Sequence, residues 1–246
     1  MNLVVDIGNS RIKIGVFKDK HLIHQSVFPS SNFSEIKKIL ISFPELKFAI
    51  VSSVLSHSKE LLNLLSHKLN CLELNFNTRL PIKNVYNTPE TLGNDRLAAA
   101  VGAFARFPKN NCLIIDAGTC MKYDFIDSEG NFHGGAISPG MEMRFKALNA
   151  FTDRLPLISC NEEFNKLTGS TTTESILSGV QNGITEEVVG MIRRYQEQYL
   201  KINCVLTGGD WQFFENALKN SIFAAPFLLL EGLNEILLFN VNQYKT

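Results

Sequence analysis

Apolar and polar positions change period several times along the chain, and the changes mark out its elements. Residues 3–17, LVVDIGNSRIKIGVF, open as a continuous apolar run, break at Gly8-Asn9-Ser10, and resume with Ile12, Ile14 and Val16 at alternate positions. That pattern predicts a buried strand, a tight turn and a second strand. Residues 33–43 (FSEIKKILISF) place apolar side chains at helical spacing. Residues 47–54 (KFAIVSSV) read as a strand ending in small polar residues, 58–69 (SKELLNLLSHKL) as an amphipathic helix and 71–76 (CLELNF) as a short strand. A turn-rich stretch containing Pro81 and Pro89 leads into a helix from about Asp95 to Arg106, which stops at Phe107-Pro108. Strands alternating with helices predict an α/β architecture.

The second half restarts the pattern. LVVDIGN and LIIDAGT align without a gap at an offset of 110 residues, each giving three apolar residues, Asp, an apolar residue, Gly and a small polar residue. A duplication on the scale of a domain follows, with expected domains over 1–108 and 109–246. Residues 134–151 (GGAISPGMEMRFKALNAF) read as a glycine and proline turn entering a helix. Residues 171–200 read as a long helix with hydroxyl caps in STTTES and Glu174 in its first turn. Its stripe of Ile184, Val188, Met191 and Ile192 suits either a core or a dimer seam. Residues 202–218 read as a strand, a Thr-Gly-Gly turn and a helix, and EGLNEILLFNVNQY closes the chain as a helix.

Composition narrows the function classes. The chain has 246 residues, 45% hydrophobic, with 24 basic and 24 acidic side chains, so bulk charge gives no reason to expect nucleic acid or an anionic membrane as partner. The five cysteines are odd in number and form no C-x-x-C. His21 and His24 lie in a polar stretch that reads as a turn, so reduced thiols are expected and a zinc site is not. The apolar run before Asp6 is too short for a leader, and IFAAPFLLL is too short to span a bilayer. A soluble, cytoplasmic protein is the expectation.

Three strand-end turns carry candidate chemistry. A strand that ends in Asp6 and turns on Gly8 presents several backbone N–H groups to one point, an arrangement that binds phosphate oxygens. Asp6 suits a hydrated Mg²⁺. Asn9 and Ser10 add donors, and Lys13 has the reach of a phosphate contact. An ordinary hairpin also favours Asp and Gly. The second copy, Asp116-Ala117-Gly118-Thr119, and a third glycine turn in VLTGGD (205–210) favour a nucleotide cleft between duplicated domains. No G-x-x-x-x-G-K-[ST] and no G-x-G-x-x-G occurs. Gly93-Asn94-Asp95-Arg96 puts a carboxylate and a guanidinium side by side at a helix start, where Asn94 or Asp95 could cap the helix or meet a substrate.

Taken in order, DIGNSRIKIGVF, YNTPETLGNDRL, IIDAGTC, GGAISPGM, RLP, GSTTTESILSG and LTGGD resemble the type III pantothenate kinase family. They cover nearly the whole chain, and Gly93-Asn94-Asp95-Arg96, seven residues after Tyr86, is the most specific. The resemblance implies duplicated ribonuclease H-like domains of the superfamily of actin, Hsp70 and the acetate and sugar kinases, with a cleft between them. It implies ATP-dependent phosphorylation of pantothenate, the first step of coenzyme A synthesis, with ATP, Mg²⁺ and a monovalent cation (K⁺ or NH₄⁺), in a homodimer.

By position, the resemblance implies a first phosphate loop of Asp6, Ile7, Gly8, Asn9, Ser10, Arg11, Ile12 and Lys13. It implies Asp95 as proton acceptor, with Tyr86, Gly93, Asn94 and Arg96 on pantothenate. Arg96 could grip the substrate carboxylate or the transferring phosphate. It implies Asp116 as ligand of the monovalent cation, Thr119 on ATP and Thr172 on the substrate side, with Thr171 and Thr173 flanking it. One departure stands out. The family commonly continues the second turn with small and hydroxyl residues, where this chain has Cys120-Met121-Lys122. Lys122 could add charge near the γ-phosphate or face solvent, and Cys120 reads as a packed thiol. A regulatory protein on the same fold, of the kind once described as an accessory factor for transcription, would not need a carboxylate at 95. A related kinase with another substrate would not need Tyr86 ahead of Gly-Asn-Asp-Arg.

Overall fold

The computed structural model describes residues 1–8, 11–29, 34–53, 59–218 and 222–242. Strand β1 (Asn2–Ile7) is buried at every position because it is central, hydrogen-bonded on one side to β2 (Arg11–Lys18) and on the other to β4 (Phe48–Ser53). Strand β3 (His21–Pro29) lies at the sheet edge and alternates between exposed and half-buried positions along most of its length. His21 and His24 therefore sit in a strand and not in the expected turn. One face of an edge strand is wet, and polar residues suit it. Helix α1 (Ser34–Ser42), helix α2 (Lys59–Ser66) and strand β5 (Asn70–Glu73) follow, and the sheet order is β3-β2-β1-β4-β5. The two-residue strand β6 (Lys83–Asn84) and helix α3 (Asn94–Arg106) complete the first half.

The second half contains β7 (Asn111–Ala117), β8 (Cys120–Ile126), β9 (Asn131–Pro139), α4 (Met141–Ala150), α5 (Thr172–Gln198), β10 (Ile202–Thr207), α6 (Trp211–Ala217), β11 (Phe223–Ala224) and α7 (Leu228–Asn242). Its strands run β9-β8-β7-β10-β11. In each half a central strand pairs antiparallel with the next strand and parallel with a later one, which pairs parallel with the edge strand: β1 with β2, β4 and β5, and β7 with β8, β10 and β11. The duplication legible in two short motifs extends to the whole topology. This is a duplicated ribonuclease H-like fold. Residues 134–139, read from sequence as a turn, are strand: pairing with neighbours overrides the local preference of glycine and proline.

The chain groups into two compact units. Unit 1 holds Met1–Pro108, Gly130–Phe132 and the segment from Phe227 onward, and unit 2 holds Lys109–Glu129 and His133–Pro226. Helix α7 therefore belongs with unit 1. The reason is burial. Helix α7 hides Leu228, Leu230, Leu233, Ile236 and Leu237, and its buried Asn234 accepts from Asn2 Nδ2 at 2.9 Å and donates to the Asp19 carbonyl at 2.8 Å. In unit 2, Ile184, Val188 and Ile192 of α5 pack with Leu113, Ile115 and Leu206 of the sheet. That stripe is core, so it is not a dimer seam.

Candidate active site

In unit 1, Asp6 is buried near the end of β1, opposite Lys13 of β2 and Ser52 of β4. Buried Ile7 and Ile12 close the hairpin, and the Gly8 N–H donates to the Arg11 carbonyl at 3.0 Å. Arg11 is exposed and Lys13 half-buried. The turn is thus a true hairpin turn as well as a candidate phosphate loop. Asn9 and Ser10 lie outside the described residues. Sequence reasoning missed Ser52. Its hydroxyl is buried without a hydrogen-bond partner among the described residues, and its register puts it on the same face as Asp6. Such a hydroxyl asks for a ligand or water. Its signal was the small polar ending of the 47–54 strand.

The Gly93–Arg96 run begins α3, with Gly93 in the cap position. The Asn94 amide donates to the Leu74 carbonyl at 2.9 Å, so it does not cap the helix. Asp95 Oδ1 accepts from the Arg96 backbone N–H at 2.9 Å inside the first turn, and no side chain caps the helix at Gly93. A Cβ on residue 93 would sit 2.5 Å from Asp95 Oδ1, so a glycine there leaves the carboxylate its place. Arg96 is buried, with its guanidinium carbon 5.5 Å from the Tyr86 ring centroid and 6.0 Å from that of Phe132. Two aromatic faces offset part of the cost of burying that charge. Tyr86 is held in turn by its N–H to Asn84 Oδ1 at 3.0 Å. Phe132 was not foreseen, because its approach depends on β6 pairing with the start of β9.

In unit 2 the second turn is built differently. Asp116 lies opposite Lys122 in the β7–β8 hairpin, and Lys122 Nζ donates to Asp116 Oδ2 at 2.7 Å. The two side chains are 17% and 20% exposed. Lys122 is therefore engaged with Asp116, the alternative that the sequence had not suggested. Thr119 is exposed at the tip, and its carbonyl accepts from the Gly140 N–H at 3.2 Å. The third glycine turn backs this one: the Asp210 N–H donates to the Ala117 carbonyl at 2.9 Å. Gly208 has φ +100° and lies so close that a Cβ would fall 2.1 Å from Ala117 O. Cys120 is half-buried beside the turn. All five cysteines are free, and burial pushes the Cys112 and Cys204 thiols up to about 12 and about 11, which keeps them protonated.

Thr171 and Thr172 separate cleanly. Thr171 is the N-cap of α5, its hydroxyl accepting from the Glu174 N–H at 3.2 Å. Thr172 lines a pocket of ≈ 750 Å³ with Arg144, Phe151, Leu155, Ile176 and Gly179. Arg144 is anchored by Glu187, which also accepts from Tyr123 Oη at 2.8 Å and Ser138 Oγ at 2.5 Å. Burial alone would raise the Glu187 pKa, but the bonds from Ser138, Arg144 and Tyr123 outweigh it and hold the carboxyl below its ordinary value.

Comparison with known proteins gives the family and the fold. The family described as Type III pantothenate kinase matches residues 2–194. A type III pantothenate kinase from Christiangramia forsetii is 46% identical over 99% of this chain and all of its own length. One from Phocaeicola vulgatus is 46% identical over 98% of this chain and 99% of its own. Among solved structures, a conserved protein from Campylobacter jejuni that carries the name Baf family transcriptional activator superposes with a TM-score of 0.64 at 23% identity, covering 98% of this chain and 99% of its own. Component A of the (R)-2-hydroxyglutaryl-CoA dehydratase of Acidaminococcus fermentans superposes at 0.56 with 16% identity, covering all of this chain and 99% of its own. Both likenesses concern the fold.

Proposed function

The chain belongs to the type III pantothenate kinase family, and we propose a division of labour among its residues for that family's reaction. The reaction is transfer of the γ-phosphoryl group of ATP to the primary hydroxyl of pantothenate, the first step of coenzyme A biosynthesis. Phosphoryl transfer needs positioning and charge neutralisation more than covalent help. Asp95 orients the attacking hydroxyl and takes its proton late, as the only carboxylate in the Gly93–Arg96 run. The N-terminus of α3 favours negative charge at the same point. Arg96, set against the Tyr86 and Phe132 rings, is assigned to the substrate side, on the pantothenate carboxylate or on the transferring phosphate. Gly93, Asn94 and Tyr86 are assigned to pantothenate with it, and Thr172 to the substrate side by its position in the sequence.

ATP is assigned to Asp6 through Lys13 and to Thr119. Mg²⁺ fits the first turn. Among the described residues no three His, Cys, Asp or Glu side chains converge on a metal, so a divalent ion would take most of its ligands from phosphate and water. The buried Asp6 carboxylate and the Ser52 hydroxyl, which has no partner among the described residues, suit its outer shell. When bound, it supplies charge neutralisation across the β- and γ-phosphates. A free monovalent cation does not fit Asp116, whose carboxylate already holds the Lys122 ammonium. A homodimer in the cytoplasm completes the proposal. No helix among the described residues is long and apolar enough to cross a membrane.

The observation that carries the assignment is the Gly93–Arg96 turn, with Arg96 immobilised by aromatic rings and Asp95 set at the helix start. ADP release coupled to pantothenate tests it. Asp95→Asn keeps an oxygen for the Arg96 N–H, so the helix start survives. ATP binding should persist while turnover falls about 10²–10⁴-fold. Normal turnover in that variant would remove Asp95 from the chemistry.

A further inference from the structure

We propose that Lys122 is a built-in monovalent cation: its ammonium occupies the place of K⁺ or NH₄⁺ at Asp116, so this kinase turns over without either ion. The inference rests on the kinase reading above and on geometry specific to this chain. Strand register sets Lys122 directly opposite Asp116, and Nζ meets Oδ2 at 2.7 Å. Both side chains are mostly buried, so water screens the pair little.

The chemistry matches at each point. The head of a lysine is an alkylated ammonium ion, so a site that accepts NH₄⁺ accepts it by charge, by size and by its hydrogen-bond donors. Tethering through the strand makes the interaction intramolecular, and no free ion has to be immobilised. An added K⁺ at the same carboxylate would lie beside a like charge. The pair also clamps the strands on both sides of Gly118-Thr119, the tip assigned to ATP. Lys122 is thus a positioning residue that replaces an ion.

The test uses the full chain in buffer free of K⁺ and NH₄⁺, with choline holding ionic strength constant. ADP release is measured with ATP, Mg²⁺ and pantothenate, and thermal unfolding is followed with and without KCl. Wild type should be active without K⁺, change less than about twofold on adding it, and show no K⁺-specific rise in Tm. Lys122→Thr removes the charge and keeps a β-favouring residue. It should become K⁺-dependent by about tenfold, within the range usual for coupled sites, and gain a K⁺-specific Tm rise of a few degrees. A wild type that requires K⁺ or NH₄⁺, or whose Tm rises with K⁺ alone, overturns the proposal. So does a Lys122→Thr protein that stays active and indifferent to K⁺ by both measures. If that variant does not fold, the two wild-type measurements still decide. Absence of pantothenate-dependent ADP release in every salt would instead sink the kinase reading, and the K⁺ dependence of wild-type Tm would still judge Lys122.

Discussion

Asp6 and Asp116 hold the same place in two sheets of the same topology. Each is the penultimate residue of a central strand. Each faces a lysine across an antiparallel hairpin, Lys13 or Lys122, and a hydroxyl residue on the parallel neighbour, Ser52 or Thr207. The trio has been copied with the fold. The hairpins differ by one residue: Ile7 pairs with Ile12, whereas Ala117 pairs with Met121. In the shorter one the lysine ammonium lies on the aspartate. In the longer one the neighbouring Ser52 hydroxyl is left without a partner among the described residues. The second copy carries the Asp116–Lys122 ion pair, and the first has in Ser52 a buried hydroxyl that no described residue satisfies. Duplication conserves backbone positions, and the chemistry is set by turn length and by which polar atoms remain to be satisfied.

The largest effect should come from breaking the two aspartates separately. Asp6→Asn should lower kcat about 10²–10³-fold, the usual loss of one preorganised electrostatic contact. Asp116→Asn should act mainly on stability, with a smaller loss of kcat, about tenfold. It leaves the Lys122 ammonium mostly buried without its carboxylate, at a cost of about 1–3 kcal/mol. Adding Lys122→Met to Asp116→Asn should recover much of that loss, because removing both partners is milder than orphaning one. ADP release and thermal unfolding on the four proteins give the answer. Equal responses from the two aspartates would show that the turns do the same work.

Next in size is the support behind the second turn. Gly208 adopts a backbone conformation that L side chains avoid, and a Cβ there would collide with the Ala117 carbonyl. Gly208→Ala should cost about 1–3 kcal/mol and raise KM for ATP, because the displaced strand end carries Thr119. Urea unfolding together with an ATP titration checks it. A neutral substitution would mean that the third glycine turn does not brace the second.

Much of this was legible beforehand, for a physical reason. Central strands such as β1 and β7 are buried on both faces, so their apolar runs and the Asp-x-Gly break stand out, and the gapless repeat exposed the duplication. The helix start at Gly93-Asn94-Asp95-Arg96 was legible because Gly, Asn and Asp favour helix N-termini. What escaped depends on partners distant in sequence. Edge strand β3 is polar because one face is wet. Strand β9 contains residues that normally punctuate turns. Helix α7 returns to unit 1 through contacts that no local period encodes. Phe132 meets Arg96 through a two-residue strand pairing. Lys122 was noticed as a departure, yet its role needed the register: the same opposition of Asp and Lys in LVVDIGNSRIK was the available clue.

The smallest effect sharpens the contrast between two of the ion pairs of unit 2. Lys166 and Glu174 meet at the start of α5 with side chains 54% and 24% exposed, far more open than Lys122 and Asp116. Hydrogen bonds from Lys166 and Ser170 hold the Glu174 carboxyl at about 2, below its ordinary 4.5. A depressed carboxylate contributes stability above pH 4.5 and loses it as pH falls toward 2. Glu174→Gln should therefore lower Tm slightly at pH 7, and the difference from wild type should vanish by about pH 2. Salt should separate the pairs further. At about 1 M salt the Debye length is near 3 Å, so the Glu174→Gln difference should shrink, while that of Asp116→Asn, shielded from solvent, should persist. Thermal melts of both variants across pH and salt test this. If the Asp116 effect faded with salt as readily as that of Glu174, the Lys122 ammonium would be a surface charge, and its claim to the place of a bound cation would fail.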